Sequence, residues 1–230
     1  MSHPALTAAD FFGQMADSYD SLIRRAVPRY DEMIDRLLEH LPPGSMRILE
    51  LGCGTGNLTL RLAELFPRAV ITTVDAAPEM TALTAARAAK KGIGPDRVRT
   101  VTGRFEELSF LPGSFDLVSS CMSLHHVKDK LPVYRAVRGW LGPRGWFCFG
   151  DQLLGATEEI QNHYWERWLA FCRQPGNCTE EEIKELLEHA AAHDHYVPLL
   201  EHFRMLDAAG FTVLDCVWRS LMYSVVLASC

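Results

Sequence analysis

Three glycines on alternate positions, Gly52, Gly54 and Gly56, follow directly on a run that is apolar from Met46 to Leu51 but for Arg47 and Glu50. Behind them, from Leu58 to Phe66, apolar residues recur at helical spacing. The pattern predicts a strand, a tight loop and a helix. Glycine has no Cβ, so such a loop can take strained dihedrals and let a ligand lie against its backbone, while the free N–H groups at the helix start face that ligand. A nucleotide or nucleoside is the ligand this arrangement suits.

Glycine spacing separates the possible ligands. A dinucleotide fingerprint needs Gly-x-Gly-x-x-Gly or Ala, and counted from Gly52 its third position falls on Asn57. No Gly-Lys-Ser or Gly-Lys-Thr follows, which disfavours a triphosphate loop. Glu50, at the end of the strand, would not welcome a pyrophosphate but can receive an ammonium, directly or through water.

The stretch Glu50-Leu51-Gly52-Cys53-Gly54-Thr55-Gly56 resembles the first motif of the class I S-adenosylmethionine-dependent methyltransferases. The likeness continues in order along the chain: Val70 to Asp75 resembles the family's second strand, Val101 to Leu108 its third, and Phe115 to Val118 its fourth. The resemblance implies a Rossmann-like three-layer α/β sandwich. Its sheet would have seven strands, mostly parallel with an antiparallel last strand, and a helical cap. It also implies S-adenosyl-L-methionine as methyl donor, S-adenosyl-L-homocysteine as product and a small organic or metabolite acceptor. On this plan residues 1–45 form a helical lid, 46–151 the cofactor-binding core, 152–196 a cap insertion, and 197–230 the helix and strand pair that complete the core.

Site residues follow from that frame. Asp75 ends the second strand, where its two oxygens match the vicinal hydroxyls of a ribose. Gly52, Cys53 and Gly54 lie along the cofactor, Ala76 and Met80 stand at the entrance of the next helix, with Met80 as an apolar wall, and the resemblance adds Ser120. Gly103-Arg104-Phe105 occupies the place where many relatives carry Gly-Asp-Ala or similar, whose acid holds the adenine amino group. Arg104 cannot accept that bond, because a guanidinium only donates; backbone groups, stacking on Phe105, or Glu106 would substitute. Residues 7 to 41 read as one or two amphipathic helices. In this family such a segment folds over the cofactor, which places Tyr19 against the donor and Arg24 and Tyr30 toward the substrate. Arg24 would favour an acceptor bearing a carboxylate or another anion.

Ser119 to Val127 ends the fourth strand, and ligands of an open parallel sheet gather at the carboxyl ends of its strands. His125 is assigned to the pocket as the catalytic residue that takes a proton or orients the acceptor, and His126 to packing beside the substrate; the residues alone leave open which ring faces inward. In the cap, Tyr164, Trp165 and Trp168 supply aromatic surface, with Trp165 as a substrate contact. Thr179 and Glu182 form a capping box at the start of a helix reaching His189. His189, His193, Asp194 and His195 crowd together without a pattern such as His-Glu-x-x-His, so no metal is expected.

Composition narrows the partners. A net charge of −6 gives no basic face for a nucleic acid. No apolar run reaches ~18 residues, the length of a membrane span, and the start, Met1-Ser2-His3-Pro4, does not read as a leader. Seven cysteines, an odd number without CxxC spacing, point to reduced thiols in the cytoplasm. Two other functions fit the same loop: a protein that holds the nucleoside without turnover, or a relative that uses a modified S-adenosylmethionine. An NAD-dependent oxidoreductase is disfavoured by Asn57 and Glu50.

Overall fold

The computed structural model describes residues 7–15 and 18–230, so the chain start read above, Met1 to Pro4, lies outside the described residues. One sheet contains β1 (Arg47–Leu51), β2 (Val70–Asp75), β3 (Val98–Thr102), β4 (Phe115–Cys121), β5 (Leu141–Gln152), β6 (Val213–Ser220) and β7 (Tyr223–Ser229). Helices α1 (Ala8–Met15), α2 (Tyr19–Ala26) and α3 (Tyr30–Glu39) precede it. Then come α4 (Asn57–Leu65), α5 (Pro78–Lys90), α6 (Lys130–Trp140), α7 (Glu158–Cys172), α8 (Glu180–His193) and α9 (Leu199–Ala208).

Strand order is β3-β2-β1-β4-β5-β7-β6, with β7 antiparallel to both of its neighbours. The order therefore reverses between β1 and β4, the place where ligands bind in doubly wound sheets. Register puts Leu51 beside Val74 on one side and Ser120 on the other, so three strands finish level and their following loops converge.

β1 is apolar because helices cover both faces of the sheet. Ile48 packs with Ile71, Leu117 and Cys148 in one core, under α3 and α4 through Met33, Leu37, Leu58 and Leu62. Leu49 and Leu51 point the other way, into a core with Val118, Phe147 and Phe149 that α6 and α9 close through Tyr134, Val137 and Leu206. Side chains alternate across a strand, so Glu50 falls on the α4 side.

Three departures from the sequence expectation have physical reasons. The segment expected to hold one or two helices holds three among its described residues, and α2 and α3 part because Pro28 cannot donate inside a helix and Arg29 turns the chain at φ 62°. The apolar spacing runs across this break because Ile23, Val27, Tyr30 and Met33 enter the same core. Gly142-Pro143-Arg144-Gly145, a composition that predicts a loop before the strand, lies within β5, where the register with β4 slips between Phe115 and Leu117. α8 continues past His189 to His193; its capping box forms as expected, Thr179 accepting from Glu182 N and Glu182 Oε2 accepting from Thr179 N at 2.8 Å. All seven cysteines are free thiols. Among the described residues no helix is long and apolar enough to cross a membrane.

Candidate active site

A first cavity opens at the carboxyl ends of β1 to β4, with about 1020 Å³ of space between atoms when its mouth is included. Its floor is the glycine loop. Asp75, Ala76 and Met80 form one wall, Arg104, Phe105 and Glu106 another, and Cys121 to Ser123 a third, while Tyr19 and Tyr30 cover it. A Cβ on Gly52, which has φ +80°, would stand 2.3 Å from the Ser123 side chain, so only glycine brings this backbone so close.

The N–H groups of this loop are already used. Gly52 and Cys53 donate to Val74 O at 2.8 and 3.0 Å, Gly54 to Asp75 Oδ2 at 2.8 Å, and Gly56 to Cys53 O at 2.8 Å. These four N–H groups brace the loop, and the N–H groups expected to face a ligand are those at the start of α4, from Asn57 on. What faces the cavity is carboxylate. Glu50 is fully buried; its Oε2 accepts from Thr59 Oγ1 at 2.5 Å and Thr73 Oγ1 at 2.8 Å, while its buried Oε1 has no hydrogen-bond donor among the described residues. Burial pushes the Glu50 carboxyl up to about 7 despite the two hydroxyls. A ligand ammonium would complete it. Asp75 Oδ1 accepts from Ala77 N at 3.0 Å, and each of its oxygens keeps acceptor capacity for a hydroxyl. Burial also raises the Asp75 carboxyl, against its backbone donors. An orphaned carboxylate oxygen and a diol acceptor fit S-adenosylmethionine, whose amino acid end is a cation, better than a pyrophosphate.

Asp20 of α2, which sequence reasoning missed, clips the first helices onto this loop. It accepts from the Thr55 hydroxyl, from Asn57 Nδ2 at 2.9 Å and from Arg87 Nη1 at 2.8 Å, and Arg87 also reaches Thr55 O at 2.7 Å. Burial would raise the Asp20 carboxyl, but the Thr55 bond and the Arg87 charge together hold it below the usual range.

A second cavity lies between α2, the cap helices α7 and α8, and the ends of β4 and β5. Apolar walls come from Leu22, Ile23, Ala26, Trp165, Trp168 and Tyr223; the polar end carries His125, His126, Gln152, Asp194 and Tyr196. Trp168 is fixed by Nε1–H donating to Ala26 O at 2.8 Å, and its ring meets Trp165 edge-on at 5.4 Å. Three residues line both cavities: Tyr19, Met122 and His126. Met122 sits at φ 55°, a left-handed conformation that a non-glycine side chain rarely adopts, and its N–H holds Gly150 O at 2.8 Å.

The sites expected from sequence separate accordingly. Glu50, Gly52, Cys53, Gly54, Asp75, Ala76, Met80, Arg104, Phe105, Tyr19 and Tyr30 do line the first cavity. Gly103 does not; its N–H donates to Asp75 O at 2.9 Å, so it braces the loop from behind. Ser120 is buried under the site, donating to Leu51 O at 2.8 Å, and Ser123 takes its place on the cavity wall. Arg24 lies outside both cavities, bonded to Asp31 Oδ2 at 3.1 Å and to Asp20 O at 2.9 Å, with its guanidinium 5.7 Å from the Tyr30 ring centre. The buried face of α2 carries Leu22, Ile23 and Ala26, and Arg24 stands off that face. His126 lines both cavities, and His125 lines the second.

His125 is held twice by Asp151, which accepts from His125 N at 3.0 Å and pairs with Nδ1 at 2.5 Å. Burial favours the neutral ring, but the charge and hydrogen bond of Asp151 together with the charge of Asp194 outweigh it and raise the His125 pKa. Burial and the neighbouring His125 lower that of His126. Asp194, brought in by the segment after α8, lies 2.9 Å from His126 Nδ1 and 4.0 Å from His125 Nε2. His195 N donating to His125 O at 2.7 Å and Lys130 Nζ bridging Val127 O and His195 O fasten that segment down. Asp194 stood out in the histidine-rich stretch, but the linear pattern pairs neither it nor Asp151 with His125; contacts between distant stretches do that.

Sheet order, level strand ends, ligand-facing carboxylates and a capped second cavity together define a nucleoside-binding transferase of the doubly wound α/β type. A family model described as a methyltransferase domain matches residues 48–145. The chain is 30% identical over 197 residues to a malonyl-acyl-carrier-protein O-methyltransferase of Priestia megaterium, covering 83% of this chain and 68% of that protein. It is 26% identical over 222 residues to a carboxy-S-adenosyl-L-methionine synthase of Chromohalobacter salexigens, covering 91% and 79%. Other relatives extend well beyond the match, which takes in 24% of one and 54% of another. Among solved structures, phosphoethanolamine N-methyltransferase 2 of Haemonchus contortus, with phosphomonomethylethanolamine and S-adenosylhomocysteine, superposes with a TM-score of 0.69 at 19% identity, over 93% of this chain and 47% of that one. The chain belongs to the class I S-adenosylmethionine-dependent methyltransferases.

Proposed function

We propose that the chain methylates a small organic acceptor held in the second cavity while S-adenosylmethionine occupies the first. The observation that carries this reading is the meeting of the two cavities at Tyr19, Met122 and His126. Bound S-adenosylmethionine supplies the methyl carbon, which an acceptor lone pair bonds as the carbon–sulfur bond breaks with its pair going to sulfur. Glu50 holds the ammonium through Oε1, Asp75 the ribose hydroxyls, and Met80 and Phe105 flank the base, with Glu106 beside its amino group. Alignment and exclusion of water supply much of the rate in such a displacement. Residues 1–45 act as lid and 152–196 as cap for that purpose, with Trp165 against the acceptor. His125, steadied by Asp151, presents Nε2 to the acceptor side. With Arg24 outside the cavities, an anionic acceptor would lack the guanidinium partner expected for it. The free thiols suit a reducing compartment such as the cytoplasm.

In a turnover assay against a panel of small acceptors, read by product mass, His125→Ala is expected to lower methyl transfer at least about tenfold while S-adenosylmethionine affinity stays within about twofold. Equal loss of transfer and affinity would move His125 to the donor site and remove this reading of the second cavity. Accumulation of a modified S-adenosylmethionine in place of S-adenosylhomocysteine would replace methyl transfer by synthesis of another donor.

A further inference from the structure

The polar end of the second cavity holds more than a histidine and its carboxylate. Asp194 has a side chain only 5% exposed. Its Oδ2 is taken by the Tyr196 hydroxyl, whereas Oδ1 is enclosed and accepts no hydrogen bond from the described residues. The ring nitrogens crowd that oxygen: His126 Nδ1 at 2.9 Å, His189 Nε2 at 3.8 Å and His125 Nε2 at 4.0 Å.

His125 supplies a second observation. Its Nδ1 meets Asp151 at 2.5 Å, a contact that places the ring proton there and leaves the lone pair on Nε2. A carboxylate behind the outer nitrogen of a ligating histidine is the usual support of a protein metal site. One ring nitrogen of His125, one of His126 and a carboxylate oxygen of Asp194 all lie within 4.8 Å of one another, and His125 Nε2 stands 4.0 Å from Asp194 Oδ1. Ligand atoms about 2.0–2.1 Å from a tetrahedral ion stand about 3.4 Å apart, so shifts of less than about 1 Å would close the shell.

We propose that His125 Nε2, His126 Nδ1 and Asp194 Oδ1 bind one divalent transition-metal ion, zinc by preference, whose fourth position opens into the second cavity. Two imidazoles and a carboxylate are a donor set for zinc and its neighbours, and three protein ligands with one open position is the arrangement of a catalytic site. The proposal rests on the second cavity being the acceptor site. The acceptor would then be a molecule with a hydroxyl or thiol that the ion can bind. Coordination acidifies that group, its proton leaves to solvent, and the freed lone pair is the one that bonds the methyl carbon.

The test uses the full chain stripped of metal with a chelator and titrated with Co²⁺, then Zn²⁺, the visible absorption of Co²⁺ reporting its ligand field. One ion per chain is expected, without the intense bands of thiolate ligation and displaceable by Zn²⁺. Asp194→Asn and His126→Ala are each expected to weaken binding at least about 100-fold, and Asp151→Asn, behind the ligand, about 10-fold or more. Circular dichroism of the variants confirms that the fold persists. Absence of stoichiometric binding, or binding unchanged in the Asp194→Asn/His126→Ala double variant, would overturn the metal site. S-adenosylmethionine binding measured on the same samples tests the methyl-transfer reading independently.

Discussion

At the scale of single residues, Glu50 states the conflict between stability and binding most clearly. Its carboxyl is fully buried, and its pKa is raised from 4.5 to about 7 in the fold. A carboxyl that holds its proton more tightly when folded makes the fold less stable as pH rises from 4.5 through 7. That loss, about 3 kcal/mol at most, is fully present above pH 7. Glu50→Gln should therefore raise the melting temperature of the ligand-free protein at pH 8, change it little at pH 4, and weaken S-adenosylmethionine. A variant equally stable at both pH values relative to wild type would mean that Glu50 is not strained by burial. Glu50 and Asp75 were legible in the sequence because each closes a strand beside a recognisable turn. His125 and His126 were not separable, since adjacent side chains in a short turn diverge by an angle no pattern encodes. Ser120 was three positions from Ser123, which lines the wall; its own hydroxyl turns beneath the site to Leu51 O.

At the scale of elements, α2 does more than cover the cofactor. Through Asp20 it is tied to Thr55, Asn57 and Arg87, hence to the glycine loop and to α5. Through Arg25, bonded to Glu182 at 2.6 and 2.9 Å, it is tied to α8 of the cap. Asp20→Ala should free the N-terminal helices, raising the KM for S-adenosylmethionine about tenfold, equivalent to about 1.4 kcal/mol, and speeding proteolysis before Tyr30. Unchanged KM with unchanged proteolysis would show that the clip does not hold the lid. The helices and strands from Arg47 onward were readable from period and punctuation. Both ends of α2 escaped, because its apolar face continues into α3 across Pro28 and only the proline marks the break.

At the scale of the whole molecule, a parallel sheet with its reversal between β1 and β4 gathers four loops at one edge, and helices from both ends of the chain roof them. The topology was legible because motif order along the chain maps onto strand order. The second cavity was not, because its walls come from α2, β5, α7, α8 and β7, stretches that carry no shared motif and meet only in the fold. The account's central claim is that the cavity over the glycine loop takes S-adenosylmethionine through carboxylates. Calorimetric titration of S-adenosylmethionine and NAD into wild type and Asp75→Ala tests it directly. The account predicts one site per chain, a loss of about 1.5–3 kcal/mol in the variant, and no binding of NAD; unchanged affinity in Asp75→Ala, or binding of NAD alone, would contradict it.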